Sequence, residues 1–350
     1  MKPVVFAVPG DLATPTGGFA YDRRIIAELR ELGLAVEVTN LGEGFPSPSP
    51  ETRTAALAAL DRVPAGSPVI IDGLAFGILP ELAETCCRTR AVIALVHHPL
   101  ALETGLPEAA VARLRASEIT ALAGARHIVT TSESTARILV SDYAVPRDRV
   151  TVAPPGTDRI AAHVQRDSGG PVKLLAVGSL VPRKGFDVLI AALAAVADLD
   201  WYLTIAGADD RDPVTARQIA AQIAACGLVP RVTLAGAVAP DRLARLYAEA
   251  DLFVLASRFE GYGMAFAEAI SYGLPMIGTT AGAIPEAVPA GAGVLVPPDD
   301  VGALAAALRR LIGDRDERAR LARAARNAAG RLPTWQDSAR LIAAAIEAVT

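Results

Sequence analysis

The chain has 350 residues, with 38 acidic and 34 basic side chains and a formal net charge of −4. That length exceeds what one hydrophobic core usually organises and predicts two domains of roughly 150 to 180 residues, while the charge gives no support for binding nucleic acid or an anionic membrane. Hydrophobic residues make up 52% of the chain but are Ala-rich and interrupted by charges, so no uncharged apolar run of about 18 residues is available to span a bilayer, and only peripheral membrane contact stays open.

The apolar start, Val4 to Val8 before Pro9-Gly10, is too short for a secretion signal and predicts a first strand in a cytoplasmic protein. Next comes Thr14-Pro15-Thr16-Gly17-Gly18-Phe19, then a helix whose apolar positions Ile25, Ile26, Leu29 and Leu32 recur at helical spacing. Gly17 and Gly18 would let backbone N–H groups approach a phosphate, although a Gly-Gly pair alone equally describes an ordinary turn. Further β-branched runs at 36–39, 69–72, 92–96, 128–131 and 150–152 alternate with Ala/Leu-rich helical stretches, which predicts parallel α/β units. Cys86 and Cys87 are adjacent and Cys226 is distant, so the three cysteines offer neither a disulfide framework nor metal-ligand spacing. His97-His98-Pro99 ends the strand at 92–96, where a strand-end loop exposes an imidazole to a cleft. Two adjacent imidazoles on an extended segment point apart and do not ligate one ion; one of them packs or caps.

The richest turn-forming stretches between strands are Ala153 to Asp158 and Arg166 to Pro171, which sets the domains at 1–165 and 170–332, with 333–350 as a terminal helix. Strands resume at 173–177, 202–206, 232–234, 252–255, 276–278 and 294–296. After the first of these, Gly178-Ser179-Leu180-Val181-Pro182-Arg183-Lys184-Gly185 puts two adjacent cations in a loop that opens a helix; by itself this is a basic surface turn. The Asp-x-Asp at Asp210 and Asp212 is the arrangement that holds a metal in some sugar transferases, but beside Pro213 at a helix start it is better explained by capping, so no metal is expected. Finally, Glu260-Gly261-Tyr262-Gly263-Met264 is a Gly-rich turn leading into a helix that carries Glu268. A helix N-terminus suits a diphosphate, and acceptor-only carboxylates suit the neighbouring hydroxyls of a ribose or hexose, so the pair points to a polyhydroxylated, anionic ligand.

From 172 to the C-terminus these blocks, with the small-residue loop Ala281-Gly282-Ala283-Ile284-Pro285-Glu286, resemble retaining glycosyltransferases of family 4, which share the GT-B architecture of two Rossmann-like parallel-sheet domains facing a cleft. The resemblance implies a metal-independent enzyme with no cofactor beyond its donor substrate, a nucleoside-diphosphate sugar, and a hydroxyl acceptor such as a glycan, a lipid-linked sugar or a small molecule. It assigns Arg183 and Lys184 to the diphosphate, Glu268 to the ribose, Glu260 with the backbone of Gly261, Tyr262, Gly263 and Met264 to sugar hydroxyls and phosphates, and Ala237 to the nucleobase. Gly17 and Gly18 would face the diphosphate, and His97, ahead of His98, the transferred sugar. The family often has Arg where this chain has Ser179 in the donor loop, so Arg183 would supply that charge from another position. It further implies same-face attack by the acceptor and a terminal helix crossing back to the first domain. The Pro/Gly-rich segment 153–171 and the approach to the last helix at Pro333 can absorb dihedral change and are the expected hinges. A GT-B nucleotide-sugar epimerase and a catalytically silent sugar-nucleotide-binding protein are the alternatives.

Overall fold

The computed structural model describes residues 2–158 and 169–350. Two compact units emerge: Met1–Gly156 together with Pro333–Thr350, and Thr157–Leu332. The chain thus leaves the first unit at Gly156, ahead of the expected division at 165–170; position 165 and the Arg166 to Ser168 part of the expected linker lie outside the described residues.

In the first unit six strands, β1 (Val4–Val8), β2 (Val36–Asn40), β3 (Pro68–Asp72), β4 (Ala91–Val96), β5 (His127–Thr130) and β6 (Val150–Val152), form a parallel sheet ordered β2-β1-β3-β4-β5-β6. Every residue of β1, β3 and β4 is buried, which explains why these strands are continuous apolar runs: helices cover both faces of a parallel sheet. The helix Trp335–Val349 belongs to this unit and packs against the helix Gly17–Glu31, with Trp335 edge-on to Tyr21 at 5.9 Å between ring centroids. A capping box between Thr334 and Asp337 starts it.

The second unit repeats the plan with β7 (Val172–Val177), β8 (Trp201–Ala206), β9 (Val232–Leu234), β10 (Leu252–Val254), β11 (Met276–Thr279) and β12 (Gly293–Val296), ordered β12-β11-β10-β7-β8-β9 and parallel throughout. Its core gathers Trp201, Phe253, Phe266, Leu174, Leu189 and Ile277 between the sheet and its helices. Asp212 is the N-cap of the helix Pro213–Ala225, accepting hydrogen bonds from the Val214 and Thr215 amides at 3.1 and 3.0 Å. All three cysteines are free; Cys86 is buried, whereas Cys226 is exposed at the C-cap of that helix. No helix among the described residues is long and apolar enough to cross a membrane.

Candidate functional site

Strand order locates the site in each unit. In the second sheet β7 and β10 are neighbours, but the chain leaves β7 toward β8 on one side and continues from β10 toward β11 on the other. Loops leaving the C-terminal ends of such a pair diverge and open a crevice at the switch point, where open α/β sheets bind ligands. The loop after β7 carries Arg183 and Lys184; the loop after β10 carries Glu260.

Those three side chains meet. Lys184 Nζ lies 2.7 Å from Glu260 Oε1 and Arg183 Nη1 3.3 Å from Oε2, while Ser257 Oγ donates to Oε1 at 2.6 Å. Glu260 is only 6% exposed. Burial alone would raise its carboxyl, but the charges of Lys184 and then Arg183, with the Lys184 and Ser257 hydrogen bonds, more than reverse this and hold it at about 2. A fixed carboxylate thereby orients two cations at the switch point of the sheet.

The surrounding backbone is shaped for that cluster. Gly185 has φ 64°, and a Cβ there would lie 2.0 Å from the Ala256 carbonyl oxygen, so the two loops press together at a point only glycine fills. Gly282, φ 54°, likewise leaves no room, since its Cβ would lie 2.4 Å from the Glu260 oxygen, and the Ala283 amide donates to that same oxygen at 2.9 Å. Arg258, which the sequence did not single out, fastens the loops from outside: its guanidinium bonds Asp187 at 2.6 and 3.0 Å, Asp299 at 2.7 Å and the Pro182 carbonyl at 2.5 Å.

Gly263, φ 95°, turns the chain into the helix Met264–Ser271, whose first turn presents amide donors behind Gly261 and Tyr262. Glu268 lies half-buried on that helix; burial pushes its carboxyl up, the Tyr247 hydroxyl opposes this, and the charge of Asp158 adds to it. Ser179 is half-buried at the start of the β7 loop, and Ala237 is exposed on the loop after β9.

The first sheet has its own switch point, between β1 and β3. Thr16 caps the helix Gly17–Glu31, accepting from the Phe19 amide at 3.2 Å. Gly17 is exposed, and Gly18 faces the imidazole of His97, 3.5 Å from where a Cβ would stand to Cδ2. His97 and His98 diverge as their extended backbone requires: His98 Nε2 is 3.5 Å from the Glu103 carboxylate, whereas His97 Nε2 turns inward, 3.3 Å from Asp22 Oδ1 and 3.4 Å from Asp72 Oδ2. Asp22 and Asp72 were not anticipated. Asp22 is fully buried, Asp72 is 3% exposed and also caps the short helix after β3 through the Leu74 amide at 2.6 Å. Among the described residues this is the one set that brings three His, Cys or carboxylate ligand atoms within 4.8 Å of each other. Also unanticipated is Glu118, a buried carboxylate that accepts from the Leu100 and Ala101 amides at 2.7 and 3.3 Å and so holds the loop after His98. Burial pushes it up to about 7 against those bonds.

Residues 171–314, which contain the whole Arg183, Lys184 and Glu260 cluster, match the family model described as glycosyl transferases group 1. This stretch is a glycosyl transferases group 1 domain. A D-inositol 3-phosphate glycosyltransferase of Nocardia farcinica is 31% identical over 263 residues, 69% of this chain and 57% of that protein. The chain spans about half the length of the first curated relatives it matches, 53% to 57%. Among solved structures, sucrose-phosphate synthase from Thermosynechococcus elongatus superposes with a TM-score of 0.83 at 21% identity, covering 99% of both chains. Anabaena HepE in complex with UDP-glucose gives 0.75 at 18% identity, covering 99% of this chain and 100% of that one. The group 1 domain thus sits in a chain whose two parallel-sheet units have the GT-B fold.

Proposed function

We propose that the protein is a retaining, metal-independent glycosyltransferase that moves a sugar from a nucleoside-diphosphate sugar to a hydroxyl acceptor. The observation that carries this reading is the Lys184–Glu260–Arg183 cluster at the switch point of a group 1 domain. Cleaving the bond between the anomeric carbon and the diphosphate leaves extra negative charge on the departing nucleotide. Two cations already oriented by a buried carboxylate stabilise that charge without reorganising during the reaction, and so lower the barrier rather than merely tightening binding. The amides at the start of Met264–Ser271 add donors for phosphate or sugar oxygens, and Glu268 accepts from the ribose hydroxyls. The UDP-glucose of HepE and the glycosyltransferase names of the relatives support a nucleotide sugar as donor. The acceptor hydroxyl attacks the anomeric carbon on the face the diphosphate leaves; its oxygen forms the new bond as the bond to the phosphate oxygen breaks, and its proton passes to that leaving oxygen.

The test is a panel of nucleotide sugars screened by thermal shift, followed by mass spectrometry of products and NMR assignment of the new anomeric centre. Transfer with the donor's anomeric configuration is expected. An isomerised donor without acceptor would make the protein an epimerase, and binding without turnover a silent binder.

Two further outcomes belong to this reading. Transfer is expected to persist in excess EDTA, because Lys184 and Arg183 take the place of a divalent ion; loss of activity restored by magnesium or manganese would contradict this. Replacing Glu268→Gln is expected to weaken donor binding by about 1.5 to 3 kcal/mol, the scale of a hydrogen bond to a charged group, in calorimetric titration with the donor. An unchanged dissociation constant would show that Glu268 faces elsewhere.

A further inference from the structure

Three buried polar atoms in the first unit lack a hydrogen-bond partner at one place: both carboxylate oxygens of Asp22 and Nε2 of His97. Buried polar atoms are almost always paired, so such a convergence calls for a cause. With a neutral imidazole the site would hold two buried carboxylates that no Lys or Arg reaches among the described residues, and an unpaired buried charge costs several kcal/mol. Protons on both ring nitrogens resolve most of this: they supply the missing positive charge, and the Nε2–H, with Asp22 Oδ1 at 3.3 Å and Asp72 Oδ2 at 3.4 Å, serves both as a forked donor without being aligned on either.

We infer that Asp22 and Asp72 are positioning residues that hold His97 as a donor-only cation, its Nε2–H locked inward and its Nδ1–H presented to the substrate. The other groups packed on the ring do not oppose this. From the helix Gly17–Glu31, Tyr21 meets the ring edge-on at 5.3 Å, and its hydroxyl is committed to the Ala153 carbonyl at 2.9 Å, where burial keeps it protonated. Gly18, on the same helix, adds no charge. From β3, Asp72 Oδ2 stands 3.4 Å from Nε2. Burial alone would lower the imidazole's proton affinity, but the contacts with Asp22 and then Asp72 raise it overall; burial and the neighbouring Asp72 raise the Asp22 carboxyl in turn. No described residue hydrogen-bonds Nδ1, and the side chain keeps 21% of its surface exposed. A cation fixed in this way suits a sugar hydroxyl or a phosphate oxygen and loses its function when deprotonated. This role rests on the proposed glycosyl transfer; the protonation state does not.

The experiment is long-range 1H–15N correlation NMR of the 15N-labelled full chain, in which His97→Gln identifies one of only four histidines. At pH 8 both nitrogens of His97 are expected to carry protons. In Asp22→Asn the pH at which the ring deprotonates is expected to fall by about 1 to 3 units, the effect of losing an adjacent opposite charge, and the alkaline limb of kcat is expected to fall with it. Asp72→Asn gives the same readout should Asp22→Asn not fold. A neutral His97 in the wild type at pH 8, a stoichiometric divalent metal bound at Nε2 in the purified protein, or an unmoved ring titration would each overturn the inference. If the ring titrates as expected but no sugar is transferred, the glycosyltransferase reading and the substrate role fail while the Asp22–Asp72–His97 arrangement stands.

Discussion

Replacing Lys184→Ala is expected to lower kcat by about 10²-fold or more with the fold retained, the scale of losing one preorganised electrostatic donor. The ammonium group already stands 2.7 Å from Glu260, so its position is set before any donor arrives, and the proposed transition state gains its charge without waiting for the side chain to order. Truncation does not orphan the carboxylate: Arg183 at 3.3 Å and Ser257 at 2.6 Å still serve Glu260, which is why unfolding is not the expected outcome. The split between constants is informative. A cation that contacts the diphosphate equally in the ground and transition states would raise KM and leave kcat unchanged; one whose contact strengthens as the leaving group departs lowers kcat and kcat/KM together. Steady-state kinetics with circular dichroism as a fold control makes the measurement, and full activity in the variant would remove Lys184 from the reaction.

The fold was legible because a parallel sheet covered on both faces writes itself as short apolar runs. Val4 to Val8, Val69 to Ile71 and Val92 to Val96 have no alternation to confuse with a surface strand, and all are buried in the structure. Arg183, Lys184 and Glu260 were visible individually from their loops, but not their mutual pairing, since Lys184 and Glu260 are 76 residues apart and only the adjacency of β7 and β10 brings them together. Asp22 and Glu118 were missed for a different reason. Each heads an i, i+3, i+4, i+7 stripe of buried apolar residues, Asp22 with Ile25, Ile26 and Leu29, and Glu118 with Ala121, Leu122 and Ala125; the spacing of Ile25, Ile26 and Leu29 marks a helix without reference to Asp22, and the Ala-rich stretch around Glu118 carries no comparable apolar signal. A carboxylate on the core-facing stripe of an amphipathic helix is the signal that would have found both. Arg258 gave no such signal, because its three partners arrive from Pro182, Asp187 and Asp299.

Removing the carboxylate at Glu260 is expected to damage stability and turnover together, unlike the change at Lys184. In Glu260→Ala, Lys184 and Arg183, whose side chains are only 15% and 16% exposed, would face each other as like charges without the group between them. Breaking such a pair typically costs about 3 to 5 kcal/mol, a large share of the stability of an ordinary domain. The acid dependence of the wild type gives an independent measure. Because the folded-state carboxyl is held down at about 2 while an unfolded Glu titrates near 4.3, its contribution is fully present above the unfolded value and is lost as pH falls through the folded one. The difference is on the order of a few kcal/mol. Urea unfolding at pH 7 and again between about pH 4.5 and 2 should therefore show wild-type stability declining across that window, and Glu260→Gln, which has no such carboxylate, declining less over the same range. Parallel acid profiles for the two proteins would mean that Glu260 is not ionised by its neighbours, and the preorganised cation pair on which the proposed chemistry depends would lose its support.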